Sequence, residues 1–219
     1  PVERFVDACK KVVKANERFM PPYGSGATMY LRPFLIGVGD NIGVKPAPEY
    51  IFCIFCMPVG PYFKGGMTPV NFITSEYDRA APHGTGNIKA GLNYAMSMYP
   101  YILAHQNGFD ENMFLDPATR TYVEETGGAN FLFVKKDGTL VTPKSDSILP
   151  SITRRSLITI ATDMLGMKVE HRPVKFAEVS EFAEAGLCGT AAVICPVGKV
   201  VDHGKEICLP SGMTEMGPV

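Results

Sequence analysis

The chain has 219 residues, of which 46% are hydrophobic and 20% are charged, and its formal net charge is −1. These values are typical of a globular protein and give no electrostatic reason to expect nucleic acid or an anionic membrane as a partner. Pro, Lys or Gly interrupts every apolar run before it reaches the ~20 residues that a membrane-spanning helix needs. We therefore expect a cytoplasmic protein with one large domain or two small ones.

The first part of the chain predicts a helix followed by a strand. Apolar residues recur at helical spacing over residues 2–16, so this helix has a face to bury against a sheet. A turn rich in Pro and Gly precedes a predicted strand at residues 27–38, in which Tyr30 and Arg32 share one face. An arginine in an apolar strand is costly unless it meets an anion, although Pro33 also suits an edge strand with a salt bridge.

A second apolar run, residues 50–57, predicts a buried strand that contains Cys53 and Cys56. Residues three apart in a strand point to opposite faces, so neither a shared metal ion nor a disulfide is natural there. We interpret both as packing cysteines and predict no metal site.

The position of a Pro- and Gly-rich stretch predicts two domains. The Pro- and Gly-rich residues 59–69 indicate a linker between a small domain at 1–58 and a large domain at 70–219. Because the chain starts at Pro1 without an initiator Met, we interpret it as an N-terminally truncated piece, and the small domain as partial.

Lys89 follows a glycine-rich turn and precedes an apolar segment. A Walker loop is excluded, because Lys89 is flanked by Ile88 and Ala90 rather than by Gly and Ser or Thr. A dinucleotide fingerprint that started at Gly84 would need a glycine where the lysine stands. What remains is a lone amine with Tyr94 further along the chain. A desolvated lysine of this kind has a lowered pKa and can form a Schiff base with a carbonyl cofactor.

The rest of the chain predicts a mixture of strands and helices. The predicted elements are a strand at 70–75, a helix at 93–106 that Pro100 should bend or split, strands on both sides of Gly127 and Gly128, a hairpin turn at Asp137-Gly138, a helix that begins near Ile152, a strand at 168–173, a helix at 176–185 and a hairpin at 199–209.

Two of these elements carry candidate binding groups. Glu124 and Glu125 are adjacent in a predicted strand, so we expect one in solvent and one pointing inward, where it invites a cationic partner. The helix that begins near Ile152 has unpaired backbone N–H groups and the positive end of its dipole at its start. Phosphate binds readily at such a terminus.

The run from Arg79-Ala-Ala-Pro through Gly-Thr-Gly-Asn-Ile-Lys89 to Gly-Leu-Asn-Tyr94 resembles the lysine segment of branched-chain amino acid aminotransferases, which are pyridoxal-phosphate enzymes of fold type IV. Further blocks between Tyr30 and Ala192 resemble the same family in the same order. The resemblance implies a mixed α/β (α+β) fold, with a large pseudo-barrel β domain carrying helices and part of a small α/β domain. It also implies a homodimer that moves the amino group of Leu, Ile or Val to 2-oxoglutarate.

The resemblance assigns roles to individual residues. Lys89 would hold pyridoxal 5'-phosphate as a Schiff base and then transfer protons, while Glu125 would pair with the protonated pyridine nitrogen. Tyr94 would contact the ring oxygen. The other implied cofactor-binding residues are Arg79, Gly128, Ile152, Thr153 and Thr190. The implied substrate-binding residues are Tyr30, Arg32, Val44, Tyr62, Thr190 and Ala191, with Val44 reaching the site of the other subunit and Tyr62 on the interdomain loop.

The sequence departs from the family at several positions. Gly128 stands where some relatives carry Thr, and Ser151 where Gly is usual. Some eukaryotic relatives have a redox C-x-x-C where this chain has Ala192 and Cys195, so we expect no such switch.

Other functions remain open at this point. D-amino acid transaminases and aminodeoxychorismate lyases share the fold, but Tyr-Leu-Arg-Pro and Gly-Leu-Asn-Tyr match the branched-chain group. A truncated piece that folds and dimerises without catalysis is the third alternative. In the family, an arginine that precedes the region matched here contacts the cofactor phosphate. We therefore expect the chain as given to bind the cofactor weakly and to show little transamination.

Overall fold

The computed structural model describes residues 1–60, 68–210 and 216–219. The chain separates into two units, Pro1–Lys64 and Gly65–Val219. The centre of the predicted linker, with Tyr62, lies outside the described residues. The boundaries predicted at 59–69 therefore stay a prediction.

The first unit consists of a helix and a two-stranded antiparallel sheet. Helix α1 spans Val2–Ala15, strand β1 spans Thr28–Val38 and strand β2 spans Glu49–Val59. The two strands pair along their whole length, from Thr28 opposite Val59 to Val38 opposite Glu49. Helix α1 packs on β2, with the rings of Phe5 and Phe52 6.0 Å apart. The predicted helix and first strand are confirmed to within one residue at each end.

The strand predicted at residues 50–57 is confirmed as part of β2, but its predicted burial is wrong. Strand β2 is mostly exposed: Tyr50 retains 57% of its accessible surface and Phe55 retains 42%. An apolar run is buried only when other elements cover both faces of its sheet, and a two-stranded sheet with one helix does not supply that cover. Cys53 and Cys56 are half-buried free thiols on this strand.

The second unit is built on a mixed sheet of eight strands within the described residues. The strands are β3 (Val70–Thr74), β4 (Glu111–Met113), β5 (Asn130–Val134), β6 (Leu140–Pro143), β7 (Val169–Arg172), β8 (Glu184–Gly189), β9 (Val193–Asp202) and β10 (Lys205–Cys208). Their order is β4-β3-β9-β8-β5-β6-β7, with β10 on β9. Strand β3 runs parallel to β4 and β9, and β6 runs parallel to β7. Together with the helices, this sheet confirms the predicted mixed α/β (α+β) class.

The second unit has two α-helices within its described residues, and the first begins directly after the loop that contains Lys89. Helix α2 spans Gly91–Gln106, and helix α3 spans Ile152–Thr159 and continues as a π turn over Ile160–Met164. Pro100 lies inside α2 without ending it, so of the predicted bend or split the split is wrong. In the described parts of the chain, no helix has both the length and the apolarity that crossing a bilayer requires.

The predicted helix at 176–185 is also wrong in its second half. A 3₁₀ helix covers only Phe176–Glu181, and strand β8 begins at Glu184. The Glu178 carboxylate accepts a hydrogen bond from the Arg172 guanidinium at 2.8 Å, which favours a tight turn here. The residues that follow are drawn into the sheet by pairing with β5.

Four phenylalanine rings form the centre of the core of the second unit. Phe72 from β3 contacts Phe131 of β5 with ring centroids 5.5 Å apart, and Phe133 stacks on Phe182 at 4.7 Å. All four side chains are at most 3% exposed. Phe131 and Phe133 are alternate residues of β5 and therefore point to the same face of the sheet.

Candidate active site

Lys89 lies in the loop just before α2, where its Nζ donates a hydrogen bond to Tyr94 Oη at 2.8 Å. Asn93 holds this loop in place, because its Nδ2 donates to the carbonyl oxygens of Thr85 and Ile88 at 2.8 Å each. Lys89 is not desolvated in the structure, although the sequence had suggested that it could be. Lys89 is exposed, so its amine is open to a ligand arriving from solvent.

Arg79 joins the lysine loop to a buried carboxylate. Its side chain is 5% exposed, and Nη2 lies 2.8 Å from Glu125 Oε1. The same nitrogen donates to the carbonyl oxygen of Gly86 at 2.9 Å and to that of Ser147. A Cβ at Gly86 would stand 1.9 Å from the Ser147 carbonyl oxygen, so only glycine fits this close approach.

Glu125 is held by protein donors on both carboxylate oxygens. Oε1 accepts from the Leu149 amide at 2.9 Å and lies beside the Arg79 guanidinium in the ion pair, and Oε2 accepts from Asn130 Nδ2 at 2.6 Å. Burial raises the pKa of Glu125 to about 7, against the opposing attraction of Arg79. The neighbouring Glu124 carboxylate raises this pKa further. The cost of removing the charge from water therefore exceeds the gain from the ion pair.

The expectation that one glutamate of this pair points to solvent is wrong. Glu124 is 2% exposed and Glu125 is 4% exposed. Residues 122–125 make only isolated bridges rather than a regular strand, so the alternation of faces does not apply. Glu124 accepts hydrogen bonds from the hydroxyls of Ser147 and Ser145, the latter at 2.8 Å.

The start of α3 offers free backbone donors. Ser151 caps the helix by accepting the Arg154 amide on its hydroxyl at 3.2 Å. The amides of Ile152 and Thr153 precede any intrahelical acceptor, which is the arrangement that binds anions at helix starts. Ser151 has φ +50°, in the left-handed region that favours glycine. This backbone explains why glycine suits the position in the family that the sequence resembles.

Gly128 and the turn between β8 and β9 adjoin each other. A Cβ at Gly189 would lie 3.7 Å from the Gly128 carbonyl oxygen, and Thr190 and Ala191 follow as exposed turn residues. The Gly128 amide donates to Thr126 Oγ1 at 3.1 Å, so the protein itself uses this donor. A Cβ at Gly128 would meet nothing within 4 Å, so this position faces open space.

Four predicted substrate-binding residues belong to the first unit, and the structure describes three of them. The guanidinium carbon of Arg32 lies 5.0 Å from the ring centroid of Tyr30, consistent with the shared face predicted for them. Arg32 is exposed, so its charge needs no buried anion. Val44 is exposed in the connection between β1 and β2. Tyr62, the remaining predicted contact, lies outside the described residues.

Sequence reasoning missed several residues that hold this arrangement together: Asn93, Asn130, Ser147, Leu149 and Arg154. A signal existed for Asn130, because a polar residue that opens an apolar run must find partners when the run is buried. The Ser147 carbonyl oxygen and the Leu149 amide and carbonyl oxygen also form hydrogen bonds here. Every residue has these backbone groups, so the sequence cannot reveal such contacts. Among the residues that the structure describes, no group of His, Cys, Asp and Glu could hold a metal ion.

Comparison with known proteins decides the family. The family model described as amino-transferase class IV matches residues 2–200 of the chain. The chain belongs to this family. Within the class IV aminotransferases, it is 57% identical to a branched-chain-amino-acid aminotransferase of Haemophilus influenzae, over all of this chain and 65% of that protein. It is 51% identical to the branched-chain-amino-acid aminotransferase of Helicobacter pylori, over 93% of this chain and 61% of that protein.

Solved structures of branched-chain amino acid aminotransferases are similar to nearly the whole chain. The branched-chain amino acid aminotransferase of Thermobaculum terrenum, in its PLP form, matches with a TM-score of 0.79 and 29% identity, over 97% of this chain and 66% of that one. The branched-chain amino acid aminotransferase of Escherichia coli matches with a TM-score of 0.77 and 29% identity, over 100% of this chain and 66% of that one. The chain thus spans less than two thirds of the length of the curated relatives described above.

Proposed function

We propose that this protein is a pyridoxal-phosphate-dependent aminotransferase that moves the amino group of L-leucine, L-isoleucine or L-valine to 2-oxoglutarate. The observation that carries the proposal is that the Arg79 guanidinium contacts both the buried Glu125 and the Gly86 carbonyl oxygen, in the loop that carries Lys89 to its hydrogen bond with Tyr94. This arrangement supplies an accessible amine and a carboxylate from a single connected site. The names of the relatives at 57% and 51% identity favour branched-chain substrates.

The residues present fit pyridoxal phosphate in their chemistry. Lys89 offers an exposed amine, and the open space beside Gly128 leaves room for a ligand. Glu125 Oε2 has one protein donor, and a carboxylate oxygen accepts two, so it keeps capacity for a ring N–H. The free amides of Ile152 and Thr153 suit a phosphate.

When bound, pyridoxal phosphate supplies the conjugated ring that takes up electrons from the α-carbon of the substrate. We assign Lys89 Nζ two tasks, the attachment of the cofactor and the transfer of the proton at that carbon. Tyr94 Oη orients the amine through its 2.8 Å hydrogen bond and would donate to the ring oxygen.

Glu125 would hold the proton on the ring nitrogen. Its pKa of about 7 means that the carboxyl takes up or releases a proton near neutral pH. A cationic ring nitrogen beside it favours the charged carboxylate and so lowers this pKa. Arg79 lies beside the other oxygen of the same carboxylate, Oε1, and donates to the lysine loop.

We assign the substrate carboxylates to Tyr30 and Arg32 of the first unit and to Thr190 and Ala191 of the second, and Thr190 would also bind the cofactor phosphate. Tyr62 would face the substrate, and Val44 would serve the other subunit of a cytoplasmic homodimer. Arg32 is suited to the second carboxylate of 2-oxoglutarate or glutamate, since it is an exposed guanidinium on an apolar strand.

Other activities of the same fold have less support. D-amino acid transamination and aminodeoxychorismate cleavage would use the same lysine, but the curated relatives described above carry the branched-chain name. If the protein is instead an inert piece that folds without catalysis, no turnover is expected. An assay with leucine and 2-oxoglutarate therefore distinguishes the two proposals.

The assignment of Lys89 is tested by borohydride reduction of the protein loaded with equimolar pyridoxal phosphate. We expect a pyridoxyl group on the peptide that contains Lys89, and its loss in Lys89→Arg. Lys144, an exposed lysine outside the proposed site, serves as the internal control. Mass spectrometry that finds the label spread evenly over both peptides would contradict the proposal.

A further inference from the structure

A second buried carboxylate lies beside the proposed site and has no task in the chemistry above. Glu124 is 2% exposed and ranks among the largest fully buried side chains. Its Oε2 atom has no hydrogen-bond partner among the described residues. A buried carboxylate costs free energy unless hydrogen bonds compensate it, and an apolar side chain would fill the same volume at less cost. We therefore expect the Glu124 carboxylate to have a structural role that offsets this cost.

The partners of Glu124 are two serine hydroxyls rather than a cation. Ser145 Oγ donates to Oε1 at 2.8 Å, and Ser147 Oγ donates to the same oxygen. The two hydroxyls also lie 2.8 Å from each other, and the Ser147 amide donates to Ser145 Oγ at 3.2 Å. Glu124 thus closes a small network around one end of residues 145–150, which we call the 145–150 segment.

The same end of the 145–150 segment touches the lysine loop. The carbonyl oxygen of Ser147 accepts from Arg79 Nη2 and forms the surface against which Gly86 packs. Since a Cβ at Gly86 would collide with this carbonyl, a shift of Ser147 must move either Arg79 or the backbone that leads to Lys89. The hydrogen bonds of the Glu124 carboxylate end on the two serines, so its hydrogen-bonded path to the Lys89 loop passes through Ser147.

The other end of the 145–150 segment leads to Glu125 and to α3. The Leu149 amide donates to Glu125 Oε1 at 2.9 Å, and the Leu149 carbonyl oxygen accepts from Asn130 Nδ2 at 3.2 Å. Arg154 Nη2 lies 3.4 Å from the same oxygen. The segment then passes into Ser151, the cap of α3. One strip of backbone therefore connects the lysine loop, the carboxylate and the start of the helix.

We propose that Glu124 is a positioning residue: by holding Ser145 and Ser147, its carboxylate sets the 145–150 segment, and this segment sets the Lys89 loop and the start of α3 together. The assignment of a cofactor to these groups rests on the function proposed above, whereas the coupling between the two loops does not. Glu124 acts through the serines and touches no reacting atom.

The test measures amide hydrogen exchange in the protein without cofactor. Glu124→Gln removes the charge but keeps the shape, and Ser147→Ala removes the hydroxyl that links Glu124 to the segment. In both variants we expect exchange to rise about tenfold at the Leu149 amide and also in the Lys89 loop, at the Ile88 amide, which bonds to the Thr85 carbonyl oxygen.

Thr142→Val is the matched control. It removes another buried hydroxyl, which donates to the Phe131 carbonyl oxygen at 2.9 Å in the neighbouring strands. We expect exchange in this variant to rise near Phe131 and not in the Lys89 loop. If Glu124→Gln and Ser147→Ala loosen the 145–150 segment but leave the loop unchanged, or if Thr142→Val loosens the loop equally, the proposal is overturned.

Pyridoxal phosphate titration separates this proposal from the function on which it partly rests. We expect the dissociation constant to rise about tenfold in Glu124→Gln and Ser147→Ala and to stay unchanged in Thr142→Val. An unchanged dissociation constant in the first two variants contradicts the positioning role. Because weak binding is expected, the titration extends to a large excess of pyridoxal phosphate. If the unmodified protein does not bind the cofactor even then, the proposed function fails, while the exchange pattern still decides whether Glu124 couples the two loops.

Discussion

Arg79 and Glu125 form an ion pair with Nη2 and Oε1 2.8 Å apart, and both side chains are only 5% exposed. The guanidinium is shared with the carbonyl oxygens of Gly86 and Ser147, so the pair ties the lysine loop to the carboxylate and to the 145–150 segment. Burial nevertheless raises the pKa of Glu125 to about 7. Near neutral pH the Glu125 carboxylate is therefore close to taking up a proton, which would remove the negative charge of the pair.

Arg79→Met should destabilise the protein in a pH-dependent way. At about pH 8 we expect the free energy of unfolding to fall by about 3 kcal/mol, because Glu125 must then either stay charged without its partner or take up a proton, and either change costs free energy. At about pH 5 the loss should be smaller, because the neutral carboxyl needs no cation. Urea denaturation measures both values.

The matched control for this pair is the double variant Arg79→Met/Glu125→Gln. A neutral amide removes the unpaired charge, so at about pH 8 the double variant should be more stable than Arg79→Met alone. Equal losses at both pH values in Arg79→Met would show that the charge of Glu125 is not involved.

The raised pKa of Glu125 makes stability depend on pH with a definite sign. Between the unfolded value of 4.5 and the folded value of about 7, the folded state binds more protons than the unfolded state. The free energy of unfolding should therefore fall as pH rises through this window, by about 3 kcal/mol in total. Glu125→Gln should lack this decline, so it should match the unmodified protein at low pH and exceed it above about pH 7. Glu206→Gln, at an exposed ion pair with Lys199, is the control and should leave the decline in place.

Ser151 stands at φ +50°, where a side chain costs about 1–3 kcal/mol, so Ser151→Gly should relieve strain. Replacing a serine cap by glycine loses only a few tenths of a kcal/mol. We expect a net gain of about 1 kcal/mol in the free energy of unfolding. Ser151→Ala keeps the strain and loses the cap, so it should lower stability by about 1 kcal/mol. A loss of stability in both variants would mean that the cap outweighs the strain.

Arg32→Gln should separate the two substrates of the proposed reaction. If Arg32 binds the second carboxylate of glutamate, its loss removes a charged hydrogen bond and should slow the glutamate half-reaction by about ten- to hundredfold. The leucine half-reaction should change little. Arg18→Gln is the control, because Arg18 also lies over an aromatic ring, that of Phe19, within the same unit. Equal slowing of both half-reactions in Arg32→Gln would refute the role.

The sequence by itself determined the elements whose causes are local. The period of apolar residues predicted α1 and β1, and Asp137-Gly138 predicted the turn between β5 and β6, where Gly138 has φ +81°. Turn chemistry and amphipathic spacing act between neighbours in the chain, so they can be read without the fold. The Lys89 loop could be identified from the sequence for the same reason, because its own glycines, Gly84 and Gly86, mark the turn.

Only the tertiary structure decided which of these residues are buried and what they touch. Glu124 and Glu125 are both buried, and β2 is not, because burial depends on what distant segments cover. The contacts of Arg79 end on the backbone of Gly86 and Ser147 and on Glu125, and backbone acceptors have no residue type by which a sequence could reveal them. The pKa of Glu125 follows from that burial, since removing a carboxylate from water costs more than one nearby guanidinium returns.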